Sequence, residues 1–250
     1  MLSKAQIKYI QSLQRNKYRI QYQQYLAEGA KIVPELIQSG AKIMQLYALP
    51  EWIGANSDLM KQHYVSAEPI TPEELEKISA LSTPNQVLAV VAMPHSETIP
   101  SPEGISIALD AIRDPGNLGT IIRTADWFGI KRVYCSLDCV DIYNPKTVQS
   151  TMGSIVRVEV IYTDLEALLK AHTHIPVFAA DMDGESLYTT ALPAEGILLV
   201  GSESHGVSPT LLPYTRPITI PRFGGAESLN AAMATGIILG WWKGVACIKQ

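Results

Sequence analysis

The stretch ISIALDAIRDPGNLGTIIRTADWF, residues 105–128, decides how this chain folds. Residues 105–110 are mostly apolar and close on Asp110, which predicts a strand covered on both faces, as in a parallel sheet. Asp114-Pro-Gly-Asn117 is turn chemistry. Leu118, Ile121, Ile122 and Ala125 then recur at helical spacing, predicting a helix over 118–128. Arg123 falls on the opposite side of that helix from the apolar stripe. It is either free to meet a ligand or paired with Asp126 one turn on.

Outward from this unit the pattern repeats. Strands are predicted at 132–136, 176–180, 197–201 and 217–220, and helices at 165–172 and 229–244. The alternation predicts an α/β fold around a parallel sheet. Upstream, MPHSETIPSPEG (93–104) carries Pro94, Pro100 and Pro102, which interrupt regular hydrogen bonding. This predicts one domain over 1–93, a linker over 94–103 and a second domain over 104–250. Within the first, helices are expected at 3–13, 30–38 (stopped by Gly40) and 71–81 (Pro72 in its first turn). Strands are expected at 19–27, 42–48 and 86–92.

Composition narrows the function classes. Twenty basic against 24 acidic residues leave a formal net charge of −4, which excludes a uniformly basic nucleic-acid coat protein but not a local basic patch. Cys135, Cys139 and Cys247 are an odd number, so no disulfide framework is expected, and the spacing of the first two suggests ordinary strand and loop residues rather than a zinc site. No apolar run approaches the ~20 residues of a membrane helix, and the polar N-terminus does not read as a signal peptide. A soluble, cytoplasmic protein is expected. Charge is uneven: Lys4, Lys8, Arg15, Lys17, Arg19 and Lys31 face the single acid Glu28 within the first 31 residues. Tyr9, Tyr18, Tyr22 and Tyr25 are interleaved with them. Cations with aromatics suit phosphates and bases; a solvated helix followed by a strand with core tyrosines gives the same pattern.

Three segments can carry chemistry. In the first, Gly116 and Gly119 permit close backbone approach and Asn117 offers an amide, at a strand's C-terminal end where open α/β sheets place ligands. It is neither a Walker loop nor G-x-G-x-x-G. The second, Gly201-Ser-Glu-Ser-His-Gly206, follows a buried strand and puts Glu203 two residues past the strand end. It is otherwise a plain turn, and Gly-x-Ser-x-Gly of the hydrolases is missing. The third, Ile220-Pro-Arg-Phe-Gly-Gly-Ala-Glu-Ser-Leu-Asn230, leads into a small-residue helix, with Ser228 expected as N-cap.

Together these segments resemble the motifs of the SpoU/TrmH family of RNA ribose methyltransferases, within the SPOUT class. The family's Asn-Pro-Gly-Asn and Arg-Thr-Ala-Asp are similar to Asp114-Pro-Gly-Asn117 and Arg123-Thr-Ala-Asp126. Its Gly-x-Glu-Gly-x-Gly is similar to residues 201–206, and its Ile-Pro…Ser-Leu-Asn to Ile220-Pro and Ser228-Leu-Asn230. Asp114 for Asn and Ser204 for Gly are the departures. Residues 25–31 resemble the small α/β ribosomal-protein-like module that often precedes the catalytic domain.

The resemblance implies a parallel-sheet domain closed by a C-terminal trefoil knot, and methyl transfer from S-adenosylmethionine to a ribose 2′-hydroxyl of rRNA or tRNA, with no metal. It implies a homodimer, with the donor held near Gly201, Ile220 and Leu229. Asn117, Arg123, Glu203, Ser228 and Asn230 fall on the family's active-site positions, with Glu203 expected to hold Arg123. RNA contact is assigned to Lys4, Lys8, Arg15, Lys17, Arg19 and Lys31. Two alternatives stand beside this: a non-catalytic RNA-binding or assembly protein on the same scaffold, and a SPOUT enzyme acting on a base.

Overall fold

A computed structural model describes residues 1–94 and 98–248, the side chains of 246–248 excepted. Residues 95–97 of the expected linker and the Cys247 thiol lie outside the described residues. The chain divides into two compact units: Met1–Ser96 with Asp141–Val156, and Glu97–Val140 with Arg157–Gln250.

The first unit contains α1 (Lys4–Ser12), α2 (Asn16–Tyr22), β1 (Gln24–Glu28), α3 (Ile32–Gln38), β2 (Ile43–Ala48), α4 (Pro50–Ala55), α5 (Ser57–Gln62), β3 (Glu68–Pro69), α6 (Pro72–Ile78) and β4 (Val87–Ala92). Its sheet runs β1-β4-β2-β3, with β4 antiparallel to both β1 and β2. Local chemistry sets several ends. Ser3 and Gln6 form a capping box on α1, Thr71 and Glu74 another on α6, and Pro72 opens α6.

The expected strand over 19–27 is corrected: residues 16–22 are helical, and the strand begins at Gln24. The break is Gln23, whose left-handed φ of 52° ends the helix with its N–H on the Arg19 carbonyl. The alternation of Ile20 and Tyr22 was misleading because both point to solvent. The inward residue is Arg19, only 2% exposed. Its Nη2 meets Asp141 Oδ2 at 2.6 Å, and its Nη1 donates to the carbonyls of Leu13 and Gln14 at 3.0 and 2.8 Å.

The second unit contains β5 (Ile105–Leu109), α7 (Pro115–Trp127), β6 (Arg132–Cys135), β7 (Glu159–Tyr162), α9 (Leu165–Ala171), β8 (Val177–Ser186), β9 (Gly196–Val200), β10 (Arg216–Thr219) and α10 (Ala231–Ile248). Every pairing in its six-stranded sheet is parallel, in the order β10-β8-β9-β5-β6-β7. Successive strands leave β5 toward β6 and β7, whereas β9 lies on its other side. The C-terminal ends of β5 and β9 therefore flank a switch point, where such sheets form a ligand crevice. β5 and β9 are buried at every residue, as the continuous apolar runs predicted. The β7 strand was not predicted, although Val160, Ile161 and Tyr162 are strand-forming residues; it is half-buried at the sheet edge.

The expected division at 94–103 needs one amendment. Between β6 and β7 the chain spends residues 141–156 in the first unit, including α8 (Pro145–Thr151). Val148 is buried in the same cluster as Tyr25, Val33 and Val91, and the Tyr143 ring lies 4.6 Å from that of Tyr25. Burial pushes the Tyr143 hydroxyl up to about 12. Cys135 and Cys139 are buried free thiols, in β6 and the loop after it, with the Cys139 sulfur accepting from the Ile112 N–H at 3.3 Å.

Candidate active site

The site is built by three chain segments at the C-terminal edge of the parallel sheet. In the first, Asp114 caps α7, its Oδ1 accepting from the Asn117 N–H at 2.8 Å, and Pro115 occupies the first helical turn. Asp114-Pro-Gly-Asn117 is therefore the start of the helix rather than a turn before it, three residues earlier than expected. Asp for Asn at the cap changes little, since both accept there.

The second segment is a tight loop after β9. The N–H groups of Ser202 and Gly206 bond each other's carbonyls at 3.1 and 2.9 Å, lifting Glu203, Ser204 and His205 to the tip. Glycine is obligatory at 201, because a Cβ there would fall 2.1 Å from the Gly206 carbonyl carbon. The far end of the loop is held by Asp110, a buried carboxylate at the end of β5 that accepts from the Ser208 N–H at 2.7 Å. That clamp was not predicted. An acid closing an apolar strand run is a visible signal, but its partner lies 98 residues away.

The third segment enters α10. Ser228 is not the cap: α10 begins at Ala231, and Asn230 Oδ1 accepts from the N–H groups of Ala232 and Met233 at 3.0 and 3.2 Å. Ser228 is exposed at the mouth of the adjoining cavity.

These segments are joined by side chains. Asn230 Nδ2 donates to Asn117 Oδ1 at 2.8 Å, and Asn117 Nδ2 donates to the Glu203 carboxylate. Three of the five expected active-site residues thus form one continuous chain of hydrogen bonds. The expected Glu203–Arg123 contact is corrected, since the carboxylate accepts from Asn117 instead. Asp126 does not hold Arg123 either: its Oδ2 takes Nε and Nη2 of Arg157, both at 2.8 Å. Arg123 is exposed and makes no hydrogen bond or ion pair with any described residue.

Beside this network lies a cavity of about 900 Å³, a size that accommodates a cofactor. Gly201, Ile220 and Leu229 all line it, as do four acids, Asp181, Asp183, Glu203 and Glu227, against the single arginine Arg222. That charge balance favours a ligand carrying positive groups. Among the described residues no cluster of three or more His, Cys, Asp or Glu is arranged to hold a metal, and no helix is long and apolar enough to cross a membrane.

The residues assigned to RNA contact separate into two groups. Lys4, Lys8, Arg15, Lys17 and Lys31 are exposed. Arg19 is removed from the set, because its guanidinium is buried and committed to Asp141 and two carbonyls. Among the tyrosines, Tyr25 is core, whereas Tyr18 and Tyr22 stack with ring centroids 6.3 Å apart and Lys17 Nζ lies 6.0 Å from the Tyr18 ring.

Residues 104–240 match the SpoU rRNA Methylase family, and residues 4–89 match the MRM3-like substrate binding domain. The chain is 31% identical to the 23S rRNA (guanosine(2553)-2′-O)-methyltransferase RlmP of Bacillus subtilis, over 91% of each protein. It is 30% identical to a 23S rRNA (uridine(2479)-2′-O)-methyltransferase of Streptomyces viridochromogenes, over 90% of this chain and 84% of that one. Among solved structures, a TrmH-family RNA methyltransferase from Porphyromonas gingivalis superposes with a TM-score of 0.84 at 38% identity, covering 97% of this chain and 98% of that one. An AdoMet-bound rRNA methyltransferase from Sinorhizobium meliloti gives 0.86 at 27% identity, covering 98% and 97%. With the family's motifs on the three segments that these hydrogen bonds join, the chain belongs to the SpoU family of rRNA methylases.

Proposed function

We infer that this protein is an S-adenosylmethionine-dependent methyltransferase acting on a ribose 2′-hydroxyl of rRNA. The observation that carries the reading is the Asn230–Asn117–Glu203 chain, whose carboxylate lines an acid-rich cavity, together with an Arg123 left partnerless on α7. The cavity fits the donor in size and sign: its acids complement an ammonium and a sulfonium, and its walls near Gly201, Ile220 and Leu229 come from strand and helix ends that present backbone groups. When bound, S-adenosylmethionine supplies an activated methyl group, so the protein's task is alignment and removal of one proton.

Arg123 is assigned to clamp the phosphate and ribose of the target nucleotide, because its fork of donors is free and matches phosphate geometry. A guanidinium is too weak an acid to serve as base. Glu203 keeps acceptor capacity after taking the Asn117 amide, leaving an oxygen for the ribose hydroxyl. Asn230, fixed by its cap, orients Asn117, and the Ser228 hydroxyl lies at the mouth.

The same reading includes the family's trefoil knot, a cytoplasmic location and a homodimer. Gly236 and Gly240 lie against their own chain, where a Cβ at either would face Thr124 or Phe128 at 3.9 or 3.6 Å. Trp242 is buried as well. The support is the apolar surface left uncovered on α7 and α10: Trp127, which is 84% exposed, with Met233 and Trp241. On the first unit, Lys17 with Tyr18 and Tyr22 is the surface that suits RNA.

The test is a map of ribose and base methylation across rRNA and tRNA with and without the gene. Loss at one rRNA ribose is expected; loss confined to tRNA, or at a base, overturns the reading.

A further inference from the structure

Phe223 has no part in the chemistry above, and its surroundings differ from those of the chain's other two phenylalanines. Phe178 is buried, its ring centroid 5.1 Å from that of Trp242, and Phe128 is half-buried. Phe223 is 93% exposed. It lies in the loop between β10 and α10, lines the mouth of the cavity and follows Arg222, whose Nη1 reaches the Ala226 carbonyl at 3.4 Å. A Cβ on Gly224 or Gly225 would meet nothing within 4 Å, so the loop that follows the ring is uncrowded. Seven residues on, the same segment delivers Asn230 to the hydrogen-bond chain.

We propose that Phe223 is a stacking platform for a base of the RNA at the methyl-transfer site. The proposal rests on the reading of the protein as an RNA ribose methyltransferase and adds how the nucleotide is held. To bring a 2′-hydroxyl against Arg123 and Glu203, the target nucleotide must leave its stacked neighbours, and an unstacked base exposes a π-face that aromatic side chains cover. An aromatic ring presented to solvent where it lines the cavity offers that replacement surface. Arg222 beside it provides a cation for an adjoining phosphate. Stacking tolerates any base, so Phe223 contributes affinity and placement rather than sequence choice. The competing occupant is the adenine of the methyl donor, which shares the cavity, and the experiment separates the two.

rRNA prepared from cells lacking the gene is the probe, with wild type, Phe223→Ala, Phe223→Leu and Phe223→Trp compared. Filter binding gives RNA affinity, methylation kinetics give KM and kcat, calorimetry gives S-adenosylmethionine affinity, and light scattering gives oligomeric mass. Phe223→Ala is expected to raise the RNA Kd and KM by about 10-fold, the loss of one base–aromatic stack, with a smaller change in kcat. Phe223→Trp should restore wild-type affinity and Phe223→Leu should not, because leucine keeps apolar area but has no π-face. Donor affinity and oligomeric mass should be unchanged in all four.

Unaltered RNA affinity in Phe223→Ala, or full rescue by leucine, overturns the proposal. Weakened donor binding assigns the ring to the cofactor pocket, and a change in mass assigns it to a subunit contact; either outcome also overturns it. If wild type binds rRNA yet transfers no methyl group, the functional reading fails, while the RNA affinities of the alanine and leucine variants still decide the stacking proposal.

Discussion

Arg19 and Arg123 each lie on a helix, and both are candidates for meeting RNA. The structure gives them opposite fates. Arg19 turns inward from α2, and its donors are spent on Asp141 and two carbonyls. Arg123 stands exposed on α7 while its neighbour Asp126 is occupied by Arg157. A guanidinium whose donors are satisfied inside the fold stabilises the fold; one left with five free donors on an exposed helix face can stabilise something else. Partner accounting therefore separates structural from functional cations, where sequence position does not.

The contrast can be broken most severely at Arg19. Arg19→Ala strands Asp141 and two carbonyls, and should cost about 3–5 kcal/mol in a urea unfolding curve. The methylation rate per folded molecule should stay close to wild type. Arg123→Ala should do the reverse: the unfolding midpoint holds, while single-turnover methylation falls by about 10²-fold. Arg123→Lys should not rescue it, because an ammonium cannot form the bidentate fork. If Arg123→Ala loses activity only by unfolding, the two arginines are alike and the assignment of Arg123 fails.

Asn230 sharpens the comparison by holding a structural and a functional bond in one side chain. Asn230→Ala should lose about 1 kcal/mol of stability with the cap, and also its donation to Asn117. Asn230→Asp keeps the cap acceptor but has no N–H for Asn117, so it should keep its stability and still lose methylation rate. Equal rates for Asn230→Asp and wild type would show that the hydrogen-bond chain has no part in the reaction. The smallest effect is expected at Lys17, where alanine should weaken rRNA binding only a few-fold and lower the salt slope by about one. A salt titration of binding reads this directly.

The parallel sheet and α7 were legible in the sequence because their signals are local. Ile105–Leu109 and Gly196–Val200 are apolar throughout, and Asp114-Pro115 begins a helix by its own chemistry. The grouping of Asn117, Glu203 and Asn230 in the candidate site was legible too, because they sit in three short motifs. What failed depended on distant partners. Nothing near Arg19 signals burial, since Asp141 is 122 residues away. The Glu203–Asn117 bond spans 86 residues, so an expectation drawn from motif positions named the wrong partner for the carboxylate. Ser228 and Asn230 are equally good caps by residue type, and only the observed helix start at Ala231 chooses between them.

The passage of residues 141–156 through the first unit has a consequence for synthesis and for evolution. As the chain leaves the ribosome, residues 1–94 emerge first, yet the cluster containing Tyr25, Val33 and Val91 still lacks Val148. That unit is completed only after β5, α7 and β6 of the second have been made, so the two mature interleaved rather than one after the other. A recombination event that exchanged residues 1–96 for a different module would keep the sheet order of the second unit but leave α8 without the strand it packs on. Descendants of such an exchange would have to replace both pieces together, which ties the history of the substrate-binding half to an insert encoded within the catalytic half.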